Sequence, residues 1–245
     1  MKDSKTTDNK EITIEADAND KELCPVCKGK GFVINDDGTA TWCTCMRQDN
    51  TERRLVAARI PAKYMTRTFE SFTPYSPQLK KIYQDALRYA TTFQSIRKID
   101  KKGLLLTGSV GTGKTHLAAA ILRKVISDGH SGLFWNIVDF FRELRSTMNN
   151  DDPEHTEESI LAKARQVDLL VLDDLGTEKT TDWVLDRLYL LINSRYQDDM
   201  PLIVTTNQTL PELADRVGQR IVSRLSEMCS HLNINAEDYR RKNMK

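Results

Sequence analysis

From about residue 78 onward, short apolar runs alternate with longer segments in which apolar residues recur every three or four positions. An unbroken apolar run predicts a strand buried on both faces, and the three-to-four-residue period predicts an amphipathic helix. Strands that alternate with helices predict an α/β fold with a central parallel sheet. A helical period from Leu79 to Phe93 precedes the first strand. The predicted strands are 103–107, 132–136, 168–173, 201–206 and 230–234, and the predicted helices that follow are 114–127, 137–148, 157–166, 180–196, 210–215 and 218–228.

The first 77 residues have a different pattern and divide into three predicted segments. Residues 1–20 are polar and rich in charge, which predicts a disordered leader. Residues 21–50 hold four of the five cysteines and predict a small metal-stabilised module. Residues 51–77 combine basic side chains with three prolines and predict a linker. The α/β domain is therefore expected to occupy residues 78–245.

Composition excludes several classes of protein. Of the 245 residues, 39% are hydrophobic and 29% are charged, which is typical of a globular protein with an apolar core. Because the formal net charge is only +1, a uniformly basic protein that coats DNA is excluded. No apolar run approaches the roughly 18 residues of a membrane span, and the first residues lack a signal-peptide core. Few, clustered cysteines predict reduced thiols and a cytoplasmic location, with no membrane partner.

Residues 108–115 read Gly-Ser-Val-Gly-Thr-Gly-Lys-Thr, the phosphate-binding pattern G-x-x-x-x-G-K-[ST]. The predicted strand before it and the predicted helix after it are the context that this loop requires. Glycines allow the backbone N–H groups to approach a β-phosphate closely, and the helix N-terminus favours negative charge. Lys114 is expected to bridge the β- and γ-phosphates, and Thr115 to bind Mg²⁺. The candidate nucleotide-binding residues are Gly108, Ser109, Val110, Gly111, Thr112, Gly113, Lys114, Thr115 and His116.

Polar side chains end the next two strands of the predicted sheet. Asp173 and Asp174 follow an apolar strand, and Asn207 follows the strand after it. We expect Asp173 to hold Mg²⁺ together with Thr115, and Asp174 to orient and polarise the attacking water. Asn207 is expected to hold that water against the γ-phosphate without adding charge. The alternative for Asn207 is a simple turn residue.

Arg220 and Arg224 lie four residues apart in a predicted helix, so both side chains point the same way. If that face meets a neighbouring subunit, one arginine reaches the neighbour's γ-phosphate, where such a group is worth about 10³–10⁵ in rate. A pair bonded to nearby acidic residues on the protein's own surface is equally compatible with the spacing.

The cysteines Cys24, Cys27, Cys43 and Cys45 form the pattern C-x₂-C-x₁₅-C-x-C, which predicts a tetrahedral Zn²⁺ site. Between the two pairs, strands 32–35 and 39–42 with a turn at Asp36–Gly38 predict a hairpin. Four cysteine ligands leave no open position on the metal, so the site is expected to be structural. Buried or redox-active thiols are the alternative, and Cys229 is expected to be buried in the core.

These motifs together resemble the AAA+ ATPases of the initiator clade, and more narrowly the DnaC/DnaI-type helicase loaders and the related IstB-type transposition ATPases. The resemblance covers about residues 51–242 and includes the P-loop, the two aspartates, Asn207 and the Arg-x-x-x-Arg spacing. Further stretches that resemble the family are Arg59–Tyr64, Thr68–Phe72, Leu175–Lys179 followed by Trp183, and Asp238–Arg240.

For the fold and the site, the resemblance implies an AAA+ P-loop NTPase domain, a three-layer αβα sandwich with a central parallel sheet, after a small Cys₄ zinc module. It implies that Gly108–Thr115 is the Walker A motif and that Asp173 and Asp174 are the Walker B pair. Asn207 would be sensor 1 and Arg224 the arginine finger. The catalytic residues by this resemblance are Lys114, Asp173, Asp174, Asn207 and Arg224.

For function, the resemblance implies a slow ATPase, stimulated by DNA or a partner, that needs ATP, Mg²⁺ and Zn²⁺. It would bind the replicative hexameric DNA helicase, deliver it to single-stranded DNA and release it on ATP hydrolysis. Its subunits would associate into a ring or spiral. Two alternatives remain open: an IstB-type transposition helper that binds duplex DNA, and a zinc adaptor that holds nucleotide without essential hydrolysis.

Two regions are candidates for DNA contact. Basic side chains before the α/β domain and in the C-terminal tail either bind the phosphate backbone or are simply solvated. Trp183, near Met148 and Thr181, either stacks on a base or covers the core. The basic residues are Arg47, Arg53, Arg54, Arg59, Lys63 and Arg67, with Arg240, Arg241, Lys242 and Lys245 in the tail.

Many AAA+ members have glutamate at the position of Asp174, and the shorter aspartate is expected to engage the attacking water less tightly. An Asp174→Glu variant should therefore hydrolyse ATP several-fold faster than the natural protein. Steady-state phosphate release under saturating Mg·ATP measures this. An unchanged or lower rate would contradict the expectation.

Overall fold

The computed structural model describes residues 25, 32–34, 40–42, 44–96, 101–149, 152–236 and 238–239. The chain divides into two compact units, residues 1–48 and residues 49–245, and each is described by itself.

The first unit contains the predicted hairpin. Strands β1 (Phe32–Ile34) and β2 (Ala40–Trp42) pair antiparallel, with Phe32 opposite Trp42. Cys24, Cys27 and Cys43 lie outside the described residues, and so does the side chain of Cys45. The described residues contain no cluster of acidic, histidine or cysteine side chains that could hold a metal ion, and these four thiols are not among them. The zinc site thus stays a prediction.

Every strand and helix that the hydrophobic pattern predicts in the α/β region is present, with ends shifted by at most two residues, and a short helix at Phe93–Ile96 is an addition that the pattern did not predict. Among the described residues, no helix combines the length and apolar character that a membrane span requires. The helices are α1 (Thr44–Ala57), α2 (Pro77–Thr91), α3 (Phe93–Ile96), α4 (Lys114–Ser127), α5 (Ile137–Ser146), α6 (Glu157–Gln166), α7 (Asp182–Gln197), α8 (Leu210–Val217) and α9 (Gln219–Met228), and the strands are β3 (Gly103–Thr107), β4 (Gly132–Asn136), β5 (Leu169–Asp173), β6 (Leu202–Thr205) and β7 (Cys229–Asn233).

Capping side chains explain where two predicted helices begin. Helix α7 starts at Asp182 because the Thr181 hydroxyl accepts a hydrogen bond from the Val184 N–H, which satisfies a donor at the helix end. Helix α8 starts after Thr209, whose side chain and that of Glu212 bond reciprocally to each other's backbone N–H groups. The sequence period marks the apolar face of a helix, whereas the cap fixes its first residue.

Five parallel strands form the central sheet in the order β4-β5-β6-β3-β7. Strand β6 lies between β3 and β5, with Val204 opposite Leu105 and Ile203 opposite Val171. Because the strands are parallel neighbours, the carboxyl ends of β5, β6 and β3 lie side by side on one edge of the sheet.

Alternate side chains of the sheet enter two separate cores. On one face, Leu105 and Val204 pack against helices α5 to α9. On the other face, Leu106 and Ile203 pack against α2, α3 and α4. Helices therefore cover both faces, which confirms the predicted α/β sandwich around a parallel sheet.

The segment between α1 and α2 contributes to the core. Ala58, Ile60 and Phe69 are buried in the cluster that includes α2 and α4. The Phe134 N–H of edge strand β4 donates to the Ala58 carbonyl over 2.7 Å. The hydrophobic pattern did not reveal helix α1, because its sequence is mostly polar and charged and carries no apolar stripe.

A fully buried arginine joins three elements of the second unit. The guanidinium of Arg195 in α7 donates to the carbonyls of Ala164, Arg165 and Val167 over 2.8–3.0 Å, and to the carbonyl of Pro201. These carbonyls lie at the end of α6 and at the approaches to β5 and β6. The single side chain thus satisfies acceptors at the ends of three elements, and the Pro201 carbonyl also receives a backbone N–H, that of Leu170.

Replacing Arg195 with methionine should lower the free energy of unfolding by about 3 kcal/mol or more, because the carbonyls of Ala164, Arg165 and Val167 lose the guanidinium donor and that of Pro201 loses one of its two donors. The control is Arg142→Met, which removes an exposed ion pair with Asp139 in α5 and should leave stability nearly unchanged. Urea denaturation followed by circular dichroism measures both. Equal losses for the two variants would contradict the structural role of Arg195.

Candidate nucleotide-binding site

The loop between β3 and α4 has the conformation that its glycines permit. Gly108, Gly111 and Gly113 have φ angles of 133°, 77° and 96°, a region that side-chain-bearing residues rarely adopt. A Cβ on Gly113 would lie 2.7 Å from the ring of Phe72, so this position excludes a side chain for steric reasons as well. The predicted P-loop is therefore folded as a tight backbone turn that opens helix α4.

Lys114 is buried at the start of α4, and its ammonium group lies over this loop. Its Nζ donates to the carbonyls of Gly108 and Ser109 over 2.8 and 2.7 Å. A positive charge held at the centre of a glycine loop, beside a helix N-terminus, is the arrangement that binds phosphate oxygens. The residues present thus fit a nucleotide phosphate.

Asp173 is buried at the carboxyl end of β5. Its Oδ1 accepts a hydrogen bond from the Thr205 hydroxyl over 2.7 Å. Burial raises the pKa of Asp173 to about 6, and the neighbouring charge of Asp174 adds to the rise, while hydrogen bonds from Thr205 and Thr115 and the charge of Lys114 oppose it. A desolvated carboxylate beside the Thr115 hydroxyl is a hard-oxygen donor set, which fits Mg²⁺.

Asp174 and Asn207 meet one strand apart at the same edge of the sheet. The Asn207 Nδ2 lies 3.5 Å from Asp174 Oδ1, and the Asp174 N–H donates to Thr205 Oγ1 over 2.9 Å. Asp174 has a φ of 60°, a left-handed conformation that is strained for aspartate. The Thr205 bond helps to hold this backbone, which turns the carboxylate out of the strand toward the loop of β3.

A cavity of about 330 Å³ is lined by P-loop residues, including Lys114, and by Asp174 and Asn207. This volume is in the range of small-molecule sites. One wall is the P-loop, with Asp174 and Asn207 beside it. The other wall is aromatic and was not predicted as part of the site. Its residues outside the P-loop motif are Lys63, Tyr64, Arg67, Ser71, Phe72, Thr73, Tyr75 and Tyr239.

His116 connects the P-loop helix to the segment before α2. Its Nε2 lies 2.9 Å from the Thr68 carbonyl and 3.2 Å from Ser71 Oγ, and its ring meets the edge of Phe72. Burial lowers the pKa of His116. The sequence placed His116 among the nucleotide-binding residues, and the structure gives it a second task, which is to hold Phe72 over the cavity. The aromatic residues in the segment Thr68–Phe72 were the sequence feature from which this wall could have been predicted.

The C-terminal segment also contributes to the cavity wall. The Tyr239 N–H donates to the Gly111 carbonyl over 3.1 Å, and Ser109 Oγ donates to the Ala236 carbonyl over 3.2 Å. The ring of Tyr239 stacks on Tyr75 with centroids 6.1 Å apart. Residues that follow the last strand thus touch the P-loop directly, although nearly 130 residues of chain separate them. Arg240 lies outside the described residues.

Arg224 does not line this cavity. It is on α9, where its Nη2 donates to the hydroxyl of Tyr189 over 2.9 Å. Arg220, one turn earlier, is exposed. Of the residues predicted to be catalytic, the structure brings Lys114, Asp173, Asp174 and Asn207 together and leaves Arg224 apart.

Trp183, a candidate for DNA contact, packs against the core cluster of α5 and α7. The guanidinium carbons of Arg145 and Arg187 lie over its ring, 5.2 and 5.1 Å from the centroid. Met148 is 57% exposed. Trp183 thus covers the core, as one of its two sequence interpretations proposed.

Comparisons with known proteins agree with this geometry. A family model described as IstB-like ATP binding protein matches residues 44–245. The chain is similar to the phage-like element PBSX protein XkdC of Bacillus subtilis, with 28% identity over 218 residues that cover 84% of this chain and 79% of that protein. It is also similar to the replicative helicase loader DnaC of Escherichia coli K12, with 29% identity over 121 residues, about half the length of each protein.

A solved structure extends the likeness to three dimensions. The crystal structure of the DnaC helicase loader matches with a TM-score of 0.62 and 30% identity, and the match covers 71% of this chain and 99% of that one. The predicted resemblance to DnaC-type AAA+ proteins is therefore confirmed.

Gly108→Ala should weaken the binding of a fluorescent ATP analogue at least tenfold, because a Cβ there would collide with the backbone carbonyl oxygen of Ile234 and would displace the loop. The matched control is Gly218→Ala between α8 and α9. Gly218 also has a positive φ, of 91°, but a Cβ there meets nothing within 4 Å. Both variants bear the backbone strain, so only the packing at the P-loop distinguishes them. Equal nucleotide affinity of the two variants would contradict this assignment.

Proposed function

The chain belongs to the family of IstB-like ATP-binding proteins, and on that basis we propose that it is an ATP-dependent loader of the replicative DNA helicase. The observation that carries the proposal is the cavity that joins Lys114 and the P-loop to Asp174 and Asn207. The similarity to DnaC supports the choice of the helicase as cargo.

Residues in and beside the cavity have distinct roles in ATP hydrolysis. Bound Mg·ATP would supply the phosphoanhydride bond and the metal charge that neutralises its oxygens. Lys114 and the N–H groups of the loop bind the phosphates, and Thr115 and Asp173 hold the metal. Asn207 positions the attacking water, and the Asp174 carboxylate accepts a hydrogen bond from that water. The hydrogen bond from Thr205 keeps Asp173 oriented toward Thr115.

The aromatic wall is suited to the nucleoside. Phe72, Tyr75 and Tyr239 offer flat apolar faces along the cavity. A base that stacks there would leave its phosphates on the P-loop. Since both the segment before α2 and the C-terminal segment supply these rings, nucleotide binding would fix both segments to the P-loop.

Arg224 is proposed to act on a neighbouring subunit. Because it lies outside its own cavity, its guanidinium would reach a γ-phosphate only across an interface. An interface of this kind joins different surfaces of two copies, and its repetition builds a ring or spiral. The nucleotide would thus hold the assembly together, and its hydrolysis would release the helicase onto single-stranded DNA.

The zinc module is proposed to contact the helicase. Its four predicted cysteine ligands form a closed structural site, which leaves the hairpin surface for a protein partner. Slow hydrolysis that DNA or the helicase stimulates would time the release.

A second candidate function has support from the family model itself, which describes IstB-like proteins. In that case the same ATP-dependent assembly would form on duplex DNA and recruit a transposase. The two functions share the nucleotide site and differ in what the assembly binds.

Co-purification with the hexameric replicative helicase tests the proposal. We expect capture of the helicase with ATP and Mg²⁺, and release at least tenfold slower when Asp174→Asn prevents hydrolysis. Lys114→Ala should abolish the ATP dependence of capture. The matched control is Lys124→Ala, which removes a lysine on the exposed side of α4 that pairs with Asp128. Filaments on duplex DNA without helicase capture would reverse the assignment in favour of the transposition helper.

A further inference from the structure

Two tyrosines of α7 enclose the guanidinium group of Arg224. Its Cζ lies 5.3 Å from the ring centroid of Tyr189 and 4.9 Å from that of Tyr196. The Tyr189 hydroxyl also accepts a hydrogen bond from Nη2 over 2.9 Å. A cation between two aromatic faces is held by the ring quadrupoles as well as by this bond.

The rings themselves are fixed in place. Tyr189 and Tyr196 are seven residues apart, close to two helical turns, so both project from the same side of α7. Both pack against the buried cluster of α7 and α9. The Tyr196 hydroxyl donates to Glu227 Oε1 over 2.7 Å, which ties the second ring to α9. The site is therefore a rigid clamp and not a chance contact of mobile surface side chains.

The clamp leaves most of the guanidinium's hydrogen-bonding capacity unused. An arginine has five N–H donors, and the Tyr189 hydroxyl takes one. Among the described residues, no carboxylate pairs with Arg224, and the bond to Tyr189 is its only hydrogen bond. Its charge is thus held in one place without being neutralised, as a residue that must meet an anion requires.

Arg220 provides an internal comparison. It lies one turn earlier on the same helix and is exposed. It makes no hydrogen bond, ion pair or ring contact with any described residue. Of the two arginines that the sequence places on this face, only Arg224 is therefore ordered before any partner arrives.

We propose that Tyr189 and Tyr196 are positioning residues that hold Arg224 in the orientation in which it meets the γ-phosphate of a neighbouring subunit. The inference rests on the proposed function. A free arginine side chain loses rotamer entropy when it becomes fixed. In this protein the tyrosines remove that freedom in the isolated subunit, so less is lost at the moment of assembly and reaction.

A double-mutant cycle tests this inference. Tyr189→Leu and Tyr196→Leu are made both in the natural protein and in an Arg224→Ala background. In the natural background, each should lower kcat for ATP hydrolysis about tenfold at saturating Mg·ATP, with less than a twofold change in the binding of a fluorescent ATP analogue. In the Arg224→Ala background, neither should lower the rate further, because the group they position is gone.

Conservative variants separate the ring from the hydroxyl. Tyr196→Phe should keep nearly the full rate, since its hydroxyl binds Glu227 and its ring remains against Arg224. Tyr189→Phe should lower the rate several-fold. This variant keeps the ring but lacks the hydroxyl that accepts the hydrogen bond from Arg224 Nη2. Leu190→Ala, an exposed change on the same helix, is the control that should change nothing.

Sedimentation velocity with a non-hydrolysable ATP analogue supplies a second readout, in which the leucine variants should weaken nucleotide-dependent self-association as Arg224→Ala does. Equal losses from the tyrosine variants in both backgrounds would mean a purely structural role and would overturn the inference. If Arg224→Ala is inactive while the tyrosine variants keep full rate and assembly, the inference fails and the proposed function stands. If Arg224→Ala keeps full rate and assembly, the inter-subunit site itself fails.

Discussion

The parallel pairing of β6 between β5 and β3 is the constraint on which the nucleotide cavity depends. It brings the ends of three strands to one edge of the sheet, although nearly 60 residues separate the end of the P-loop from Asp173 along the chain. Thr205 at the end of β6 bonds to both Asp173, which ends β5, and Asp174, which follows it, and so transmits this register to the site. The raised pKa of Asp173 is a consequence, because the same packing that aligns the strands excludes water from its carboxyl group.

Burial of polar groups elsewhere in the fold follows the same logic. Arg195 is enclosed where α6 ends and two strands begin, and it donates to carbonyls at the ends of these elements. Arg224, which we propose meets an anion, is ordered by aromatic rings and a single hydroxyl. The two arginines thus have different roles. Arg195 satisfies acceptors inside the fold, and Arg224 holds a positive charge at the protein surface.

The cavity is completed by segments that precede and follow the central sheet in the chain. Phe72, held by His116, approaches from the segment before α2, and Tyr239 approaches from the chain beyond β7. Both are in contact with the P-loop, so a nucleotide there would touch the parts of the chain that lead toward its ends. Through these contacts, loss of the γ-phosphate would change the position of both segments and so the surfaces that they offer to other molecules.

The hydrophobic period determined the strands, the helices and the sandwich, because buried strands and amphipathic helices each impose their own spacing on apolar residues. The sequence likewise predicted the P-loop and the acidic strand end, because the residues that carry their chemistry are consecutive. Helix α1 was not, because its polar sequence has no apolar stripe. The aromatic wall, the clamp on Arg224 and the role of Arg195 were decided only by tertiary structure. Each depends on side chains that are far apart in sequence, and no local pattern records which distant elements the sheet order brings into contact.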